Sequence, residues 1–350
     1  MCRLPRSDLA SAALVCRRWC PTAQTRLYRR ISLDTNVPSF RNLSHTLSSD
    51  PWLRGLVRDL VIFHRAGSKD HKALLHWLEL LPKGSLRSLR IEQMFIGSGS
   101  DLSLLLYPAV RSISSLSVWP AANFLSVERL DAILQFEALE SLSIRILPYL
   151  LPRPLTVTHA PTLRQLSVDT TEYFHTITEV LGALDPAAFE RFDLATNTLS
   201  CTAVETLCRD LRRFLPRLRH LSVNPRQSRS DEPFVDALAP AMPALRTLAC
   251  GWGTCTAAVL DRLPPTFEAL TLLANLREPF PDVRFAEAVK TASIPRDMKK
   301  LTVVDAGLRW ASVCRTEREA LQDACASRGL VFDLVDKGSC EPLFFGFSAD

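Results

Sequence analysis

No apolar run in the sequence approaches the roughly 18 residues that a membrane-crossing helix requires, so no spanning helix is expected. The first residues hold no apolar core followed by a small-residue cleavage site, so no secretory leader is expected either. The ten cysteines are then expected as reduced thiols of an intracellular protein, cytoplasmic or nuclear. Catalytic signatures are also missing. There is no G-x-x-x-x-G-K-[S/T], no H-E-x-x-H, no G-x-S-x-G and no G-x-G-x-x-G after a strand. There is no Cys-x-x-Cys, and Cys16 and Cys20 lack the second pair that would complete a tetrahedral metal site. Asp193 is a lone carboxylate, not an acid/base pair. We therefore expect no enzyme, no metal and no cofactor. Net charge is close to zero outside the N-terminus. Residues 1–31 hold seven Arg and one Asp, while the remainder holds 42−7 = 35 basic and 37−1 = 36 acidic residues. The basic segment reads as a solvated or protein-docking helix face, and nucleic acid is not an expected partner.

What the sequence has is a repeat. Leu139-Glu-Ser-Leu-Ser-Ile-Arg145 recurs as Leu163-Arg-Gln-Leu-Ser-Val168, Leu218-Arg-His-Leu-Ser-Val223 and Leu86-Arg-Ser-Leu-Arg-Ile91. Looser copies place the central apolar residue at Leu60, Leu89, Leu116, Leu142, Leu166, Phe192, Leu221, Leu248, Leu270 and Leu301, with 22 to 31 residues between neighbours. L-x-x-L-x-L at a period in the twenties is the mark of a leucine-rich repeat. On a strand, Leu142 and Ile144 face one way, and Ser141, Ser143 and Arg145 face the other. One such strand cannot bury its apolar side alone, so neighbours must stack.

Between the strands the pattern is mostly helical. The clearest stretches are Ala73 to Leu81, Ser126 to Phe136, Ile177 to Leu184, Val204 to Leu215, Phe234 to Met242, Ala257 to Leu263 and Arg284 to Ala292. Thr202-x-x-Glu205 and Thr316-x-x-Glu319 fit capping boxes. Prolines 82, 108, 161, 216, 243, 265 and 295 are expected to stop a helix before the next strand. Prolines 148, 152, 154 and 161 predict an extended connector there, and Asn224 to Pro233 reads as an exposed polar loop. Cys201 and Cys208 are expected to face the core. Strand–helix–strand units need parallel pairing and right-handed crossovers. The expected fold is α/β: a right-handed leucine-rich-repeat solenoid of about ten β–α units with a parallel inner sheet. The expected divisions are a short helical segment at 1–33, a linker and N-terminal cap at 34–56, the solenoid at 57–336 and a C-terminal tail or cap at 337–350. Phe344, Phe345 and Phe347 are candidates to cover the last repeat.

A resemblance arises near the N-terminus. Asp8-Leu-Ala-Ser-Ala-Ala-Leu-Val-Cys-Arg-Arg-Trp19, then Ala23, Leu27-Tyr-Arg-Arg-Ile31 and Leu33, resembles the second half of an F-box. Fungal F-box proteins are similar in pairing such a segment with irregular leucine-rich repeats. In that family a Leu-Pro opening and a first helix precede the segment. Here Met1 falls too late for them, and Leu4-Pro5 lies too close to Asp8-Leu9, so the adaptor-binding surface is expected to be incomplete. The resemblance implies a substrate-recognition subunit of a Skp–cullin–F-box ubiquitin ligase. A Skp-type adaptor would dock, weakened by the missing helix, on Leu9, Leu14, Val15, Arg17, Arg18 and Trp19. The repeats would hold a protein substrate. A repeat scaffold without the ligase link is the alternative.

Partner contacts are expected from the strand residues that point away from the core and from the strand ends. These are Arg90, Trp119, Arg145, Asp169, Asp193, His220 and Asn224, and Trp and Arg are the usual anchors of protein interfaces.

Overall fold

A strand forms wherever the repeat places its paired apolar residues, and the central residues then align with one another. The computed structural model describes residues 20–34, 37–64, 75–93, 105–119, 127–146, 154–157, 162–170, 174–228, 233–251, 253–274, 281–291, 294–305 and 314–336. The chain divides into two compact units, Met1–Arg145 with Tyr149–Val157 and Ile146–Pro148 with Thr158–Asp350. Both are α/β, and in each the strands follow chain order and run parallel. No helix among the described residues is long and apolar enough to cross a membrane.

In the first unit, α1 (Cys20–Arg29) leads directly into β1 (Arg30–Asp34). Then come α2 (Pro38–Ser49), α3 (Pro51–Gly55) and β2 (Asp59–His64). A 3₁₀ turn at His76–Leu78 precedes β3 (Ser88–Gln93), α4 (Pro108–Arg111) precedes β4 (Ser115–Trp119), and α5 (Val127–Leu134) precedes β5 (Ser141–Ile146). Ile31, Leu60, Leu89, Leu116 and Leu142 pair in one continuous row. Ile31 and Leu33 belong to this sheet, so a division at residue 33 falls inside β1. Asp50 caps α3 by accepting the backbone N–H groups of Trp52 and Leu53, as a short helix start requires. Beyond Ile146, Thr156 and Val157 are tied back to α5 by the Asp131 carboxylate.

In the second unit, β6 (Gln165–Thr170), α6 (Phe174–Ala183), β7 (Arg191–Leu199), α7 (Cys201–Leu211) and β8 (His220–Ser228) open the sheet. They are followed by α8 (Phe234–Leu238), β9 (Thr247–Gly251), a 3₁₀ turn at Ala257–Arg262 and β10 (Ala269–Leu273). The last elements are α9 (Val283–Thr291), β11 (Lys300–Asp305), α10 (Arg315–Ser327) and β12 (Val331–Asp336). Leu166, Phe192, Leu221, Leu248, Leu270, Leu301 and Phe332 form the central row.

All ten residues expected at the centre of a strand are 2% exposed or less. Each full burial of such a side chain is worth about 1.5–3 kcal/mol, so the row is the principal source of cohesion between neighbours. Connector residues close over it: the Phe189 ring lies 4.9 Å from that of Phe214 in an edge contact and 6.4 Å from that of Phe192 on β7. At the strand entrances, one carbonyl per repeat accepts two N–H groups from the next. Arg58 O takes Arg87 N and Ser88 N, and Arg219 O takes Arg246 N and Thr247 N.

Several boundaries differ from the sequence reading, each for a local reason. Only His76–Leu78 is helical within the described part of the expected Ala73 to Leu81 helix, and Ala257 to Leu263 closes into a 3₁₀ turn. Pro108 starts a helix instead of stopping one, at a position where its missing N–H is harmless. Helix α7 begins earlier than expected, because Ser200 rather than Thr202 caps it by accepting Ala203 N. Helix α10 has no side-chain cap at its start; Arg315 instead pairs with Glu319 one turn on. Its end is a Schellman motif: Gly329, at φ +68°, donates to Ala326 O, and Leu330 donates to Cys325 O. Strand β8 runs to Ser228 because Asn224, Pro225, Gln227 and Ser228 all pair with β7, so the first half of the expected loop is sheet. Cys201 is exposed and Cys208 half-buried, since α7 turns Ala203, Val204, Leu207 and Leu211 inward instead.

Candidate protein-binding face

Strand parity builds the face opposite the core. In the first unit its three rows are Arg30, Asp59, Ser88 and Ser115 with Ser141; Ser32, Val61, Arg90 and Ser117 with Ser143; and Asp34, Phe63, Glu92 and Trp119, with Arg145 one residue beyond Ile144. Arg90 and Trp119 thus lie on adjacent strands, and Arg145 belongs to the strand after them. All three are partly exposed. Arg90 pairs with Glu92 on its own strand, and the Ser88 hydroxyl donates to Asp59 Oδ1 at 2.7 Å. The Oγ atoms of Ser115, Ser117 and Ser143, and Nε of Arg90, are buried without a hydrogen-bond partner among the described residues.

In the second unit, Asp169, Ala195 and Asn224 form one row, and Ser167, Asp193, Ser222 and Ala249 the next. His220 sits in the row of Arg191 and Thr247. The structure therefore brings Asp169, Asp193, His220 and Asn224 together on three neighbouring strands.

Asp193 is not at the water side as expected; it is 4% exposed. It accepts the Ser167 hydroxyl at 2.8 Å and Arg191 Nε at 2.8 Å. The carboxylate is short, and the longer Arg191 side chain lies along the strand onto it, which removes it from solvent. His220 is half-buried, with Nδ1 2.7 Å from Thr247 Oγ1. Burial pushes its pKa down, and the nearby Arg191 charge pushes the same way.

The adaptor-contact residues expected from the sequence, Leu9, Leu14, Val15, Arg17, Arg18 and Trp19, lie outside the described residues, as do Cys16, Phe344, Phe345 and Phe347. An open cleft of ≈ 540 Å³ between α6 and α7 is lined by His175, Glu179, Thr206 and Arg209 among others; it contains none of the expected contact residues. The Cys208 thiol is pushed up to about 11 by burial, which makes it a poor nucleophile. No protein-family model matches the chain, and no curated protein matches it.

Proposed function

We propose that this chain is a right-handed leucine-rich-repeat solenoid that binds another protein on the strand face opposite its core. In this reading it is the substrate-recognition subunit of a Skp–cullin–F-box ubiquitin ligase and does no bond chemistry itself. The observation that carries the binding role is the face of β3 to β5. It combines a partly exposed Trp119 with the charged side chains of Arg90, Glu92 and Arg145. A partly exposed aromatic side chain beside arginines suits a protein interface, where Trp and Arg are the usual anchors. The ligase role rests on the F-box-like run Asp8 to Trp19, with an adaptor on Leu9, Leu14, Val15, Arg17, Arg18 and Trp19.

One observation favours the second reading, a repeat scaffold with no ligase link. The end of the F-box-like segment is spent on the repeat core: Ile31 is 4% and Leu33 2% exposed in β1. Co-expression of the full chain with a Skp-type adaptor separates the two. The receptor reading expects the adaptor to co-purify and to be lost when Val15→Asp and Trp19→Ala are introduced together. Absence of adaptor from a folded wild-type chain rejects the ligase role and leaves the scaffold.

A further inference from the structure

One row of the strand face in the first unit alternates carboxylate and ring. Asp34 on β1, Phe63 on β2, Glu92 on β3 and Trp119 on β4 are register partners in turn. They lie on the side opposite the buried Leu33, Ile62, Ile91 and Val118, and all four are partly exposed. Neighbouring strands are about 4.8 Å apart, so the positions of Phe63 and Trp119 are about 10 Å apart with Glu92 midway. A cation above Glu92 then lies about 5 Å from each aromatic position, within the ~6 Å reach of a ring face.

The chain itself shows which group the middle of this row accepts. Arg90, in the adjacent row of β3, sets its guanidinium against the Glu92 carboxylate. The two side chains are 30% and 24% exposed, so water reaches the pair and its net contribution is small. A guanidinium from outside can therefore replace Arg90 on Glu92 at little cost, and it gains the two rings on either side. The planar guanidinium suits this seat because it forks a carboxylate and stacks on aromatic faces, whereas an ammonium is a compact, strongly hydrated charge. An anion does not suit it, since it would meet the two carboxylates and the negative ring faces. Asp34 lies two strands from Glu92, about 10 Å away, which is the span of three extended residues.

We infer that this row takes an arginine side chain of the partner protein, its guanidinium on Glu92 between Phe63 and Trp119. The inference rests on the reading of this face as a protein-binding surface and names the chemistry that the face selects. An Arg-x-x-Arg segment places its second guanidinium over Asp34. Arg90 holds the Glu92 carboxylate when no partner is bound, so it competes with the partner's arginine.

Fluorescence anisotropy of a labelled Gly-Arg-Ser-Ser-Arg-Gly peptide with the full chain tests it. The chain carries a formal net charge of +5, so a basic peptide gains no attraction from the molecule as a whole. Binding should be saturable. It should be at least about tenfold weaker for Glu92→Gln and for Phe63→Leu, which keeps apolar bulk and loses the ring. Arg90→Met keeps the stem and removes the competing charge, and should tighten binding about threefold. The lysine counterpart of the peptide should bind at least about threefold more weakly. Circular dichroism confirms that each variant is folded. A wild-type chain that does not bind the arginine peptide overturns the inference. So does binding that is unchanged by Glu92→Gln, weakened by Arg90→Met or matched by the lysine peptide. A Gly-Glu-Ser-Ser-Glu-Gly peptide that binds instead, and is lost with Arg145→Ala, overturns the arginine assignment while leaving the face a protein-binding site. Failure of the face itself reads out differently, as capture of an intact partner that neither Trp119→Ala nor Arg145→Ala weakens.

Discussion

Asp193→Ala distinguishes a structural carboxylate from a partner contact. In the wild-type sheet Asp193 stands between Ser167 on β6 and Ser222 on β8. Removing its carboxylate strands the Ser167 hydroxyl, on a residue 7% exposed, at a cost of about 1–3 kcal/mol for an unsatisfied buried group. Arg191 also loses its ion pair, but its side chain is 25% exposed. Water takes over there, and that loss adds only ~0–1 kcal/mol. The expected destabilisation is therefore about 2 kcal/mol. For a folding unit of this size that lowers the melting temperature by about 4–8 °C. Asp193→Asn keeps an acceptor for Ser167 and should cost about half as much. Thermal and urea unfolding of the three proteins, with circular dichroism to confirm the fold, supply the measurement. If Asp193→Ala matches wild type within about 0.5 kcal/mol, the network contributes nothing, and the burial argument for this residue is wrong.

The remaining predictions concern the same face and the end of the second unit. Trp119→Ala and Arg145→Ala should each weaken capture of a partner protein while leaving the melting temperature nearly unchanged; a fall in melting temperature instead would show that they are structural. His220 should make stability pH-dependent. Its folded pKa lies below the unfolded value of about 6.5, so the unfolded chain takes up the proton first and stability falls as pH drops through that value. Urea titrations at pH 7.5 and 5.5 should show a smaller fall for His220→Gln than for wild type. Gly329→Ala places a Cβ in open space but at φ +68°; it should cost about 1–2 kcal/mol of unfolding free energy, and a neutral result would mean that the helix end relaxes out of the left-handed conformation.

The strand register was legible in the sequence because parity is a two-residue rule. Once Leu142 and Ile144 were read as one face, every other unit had to match it or bury a serine in the core. Lengths and caps were less legible. Asn224-Pro-Arg-Gln-Ser228 carries proline and polar residues and reads as loop, yet it extends β8, since pairing with β7 outweighs local propensity there. Gly251 ends β9, where a Cβ would meet Pro225 Cδ at 3.2 Å, so a close approach between strands limits this position to a residue without a side chain, while its carbonyl accepts Thr254 N in the turn that follows. The depth of Asp193 had no signal in the sequence. Alternation says which side a residue faces, not whether a longer neighbour folds over it. The adjacent Arg191, two residues away on the same face, was the available hint.

The arginines carry the same lesson about charge. The formal net charge is +5, which taken alone suggests an acidic partner. Yet arginine after arginine is spent on backbone carbonyls. Arg54 donates to Leu47 O and Ser48 O at the end of α2. Arg58 donates to Gly55 O, Val57 O and Ser85 O, spanning two repeats. Arg217 reaches Ala187 O, Arg262 reaches Asp236 O and Arg328 reaches Val289 O, each from one repeat back to an earlier one. The planar guanidinium suits this role, because it offers several donors in fixed directions to carbonyls that helix ends leave unpaired. Others are neutralised in place, as Arg246 is by Glu268 and Arg219 by Glu190. Arginine content in a repeat protein of this kind therefore measures how neighbouring repeats are tied together. Inference about partners has to start from individual side chains of the sheet face and not from the net charge.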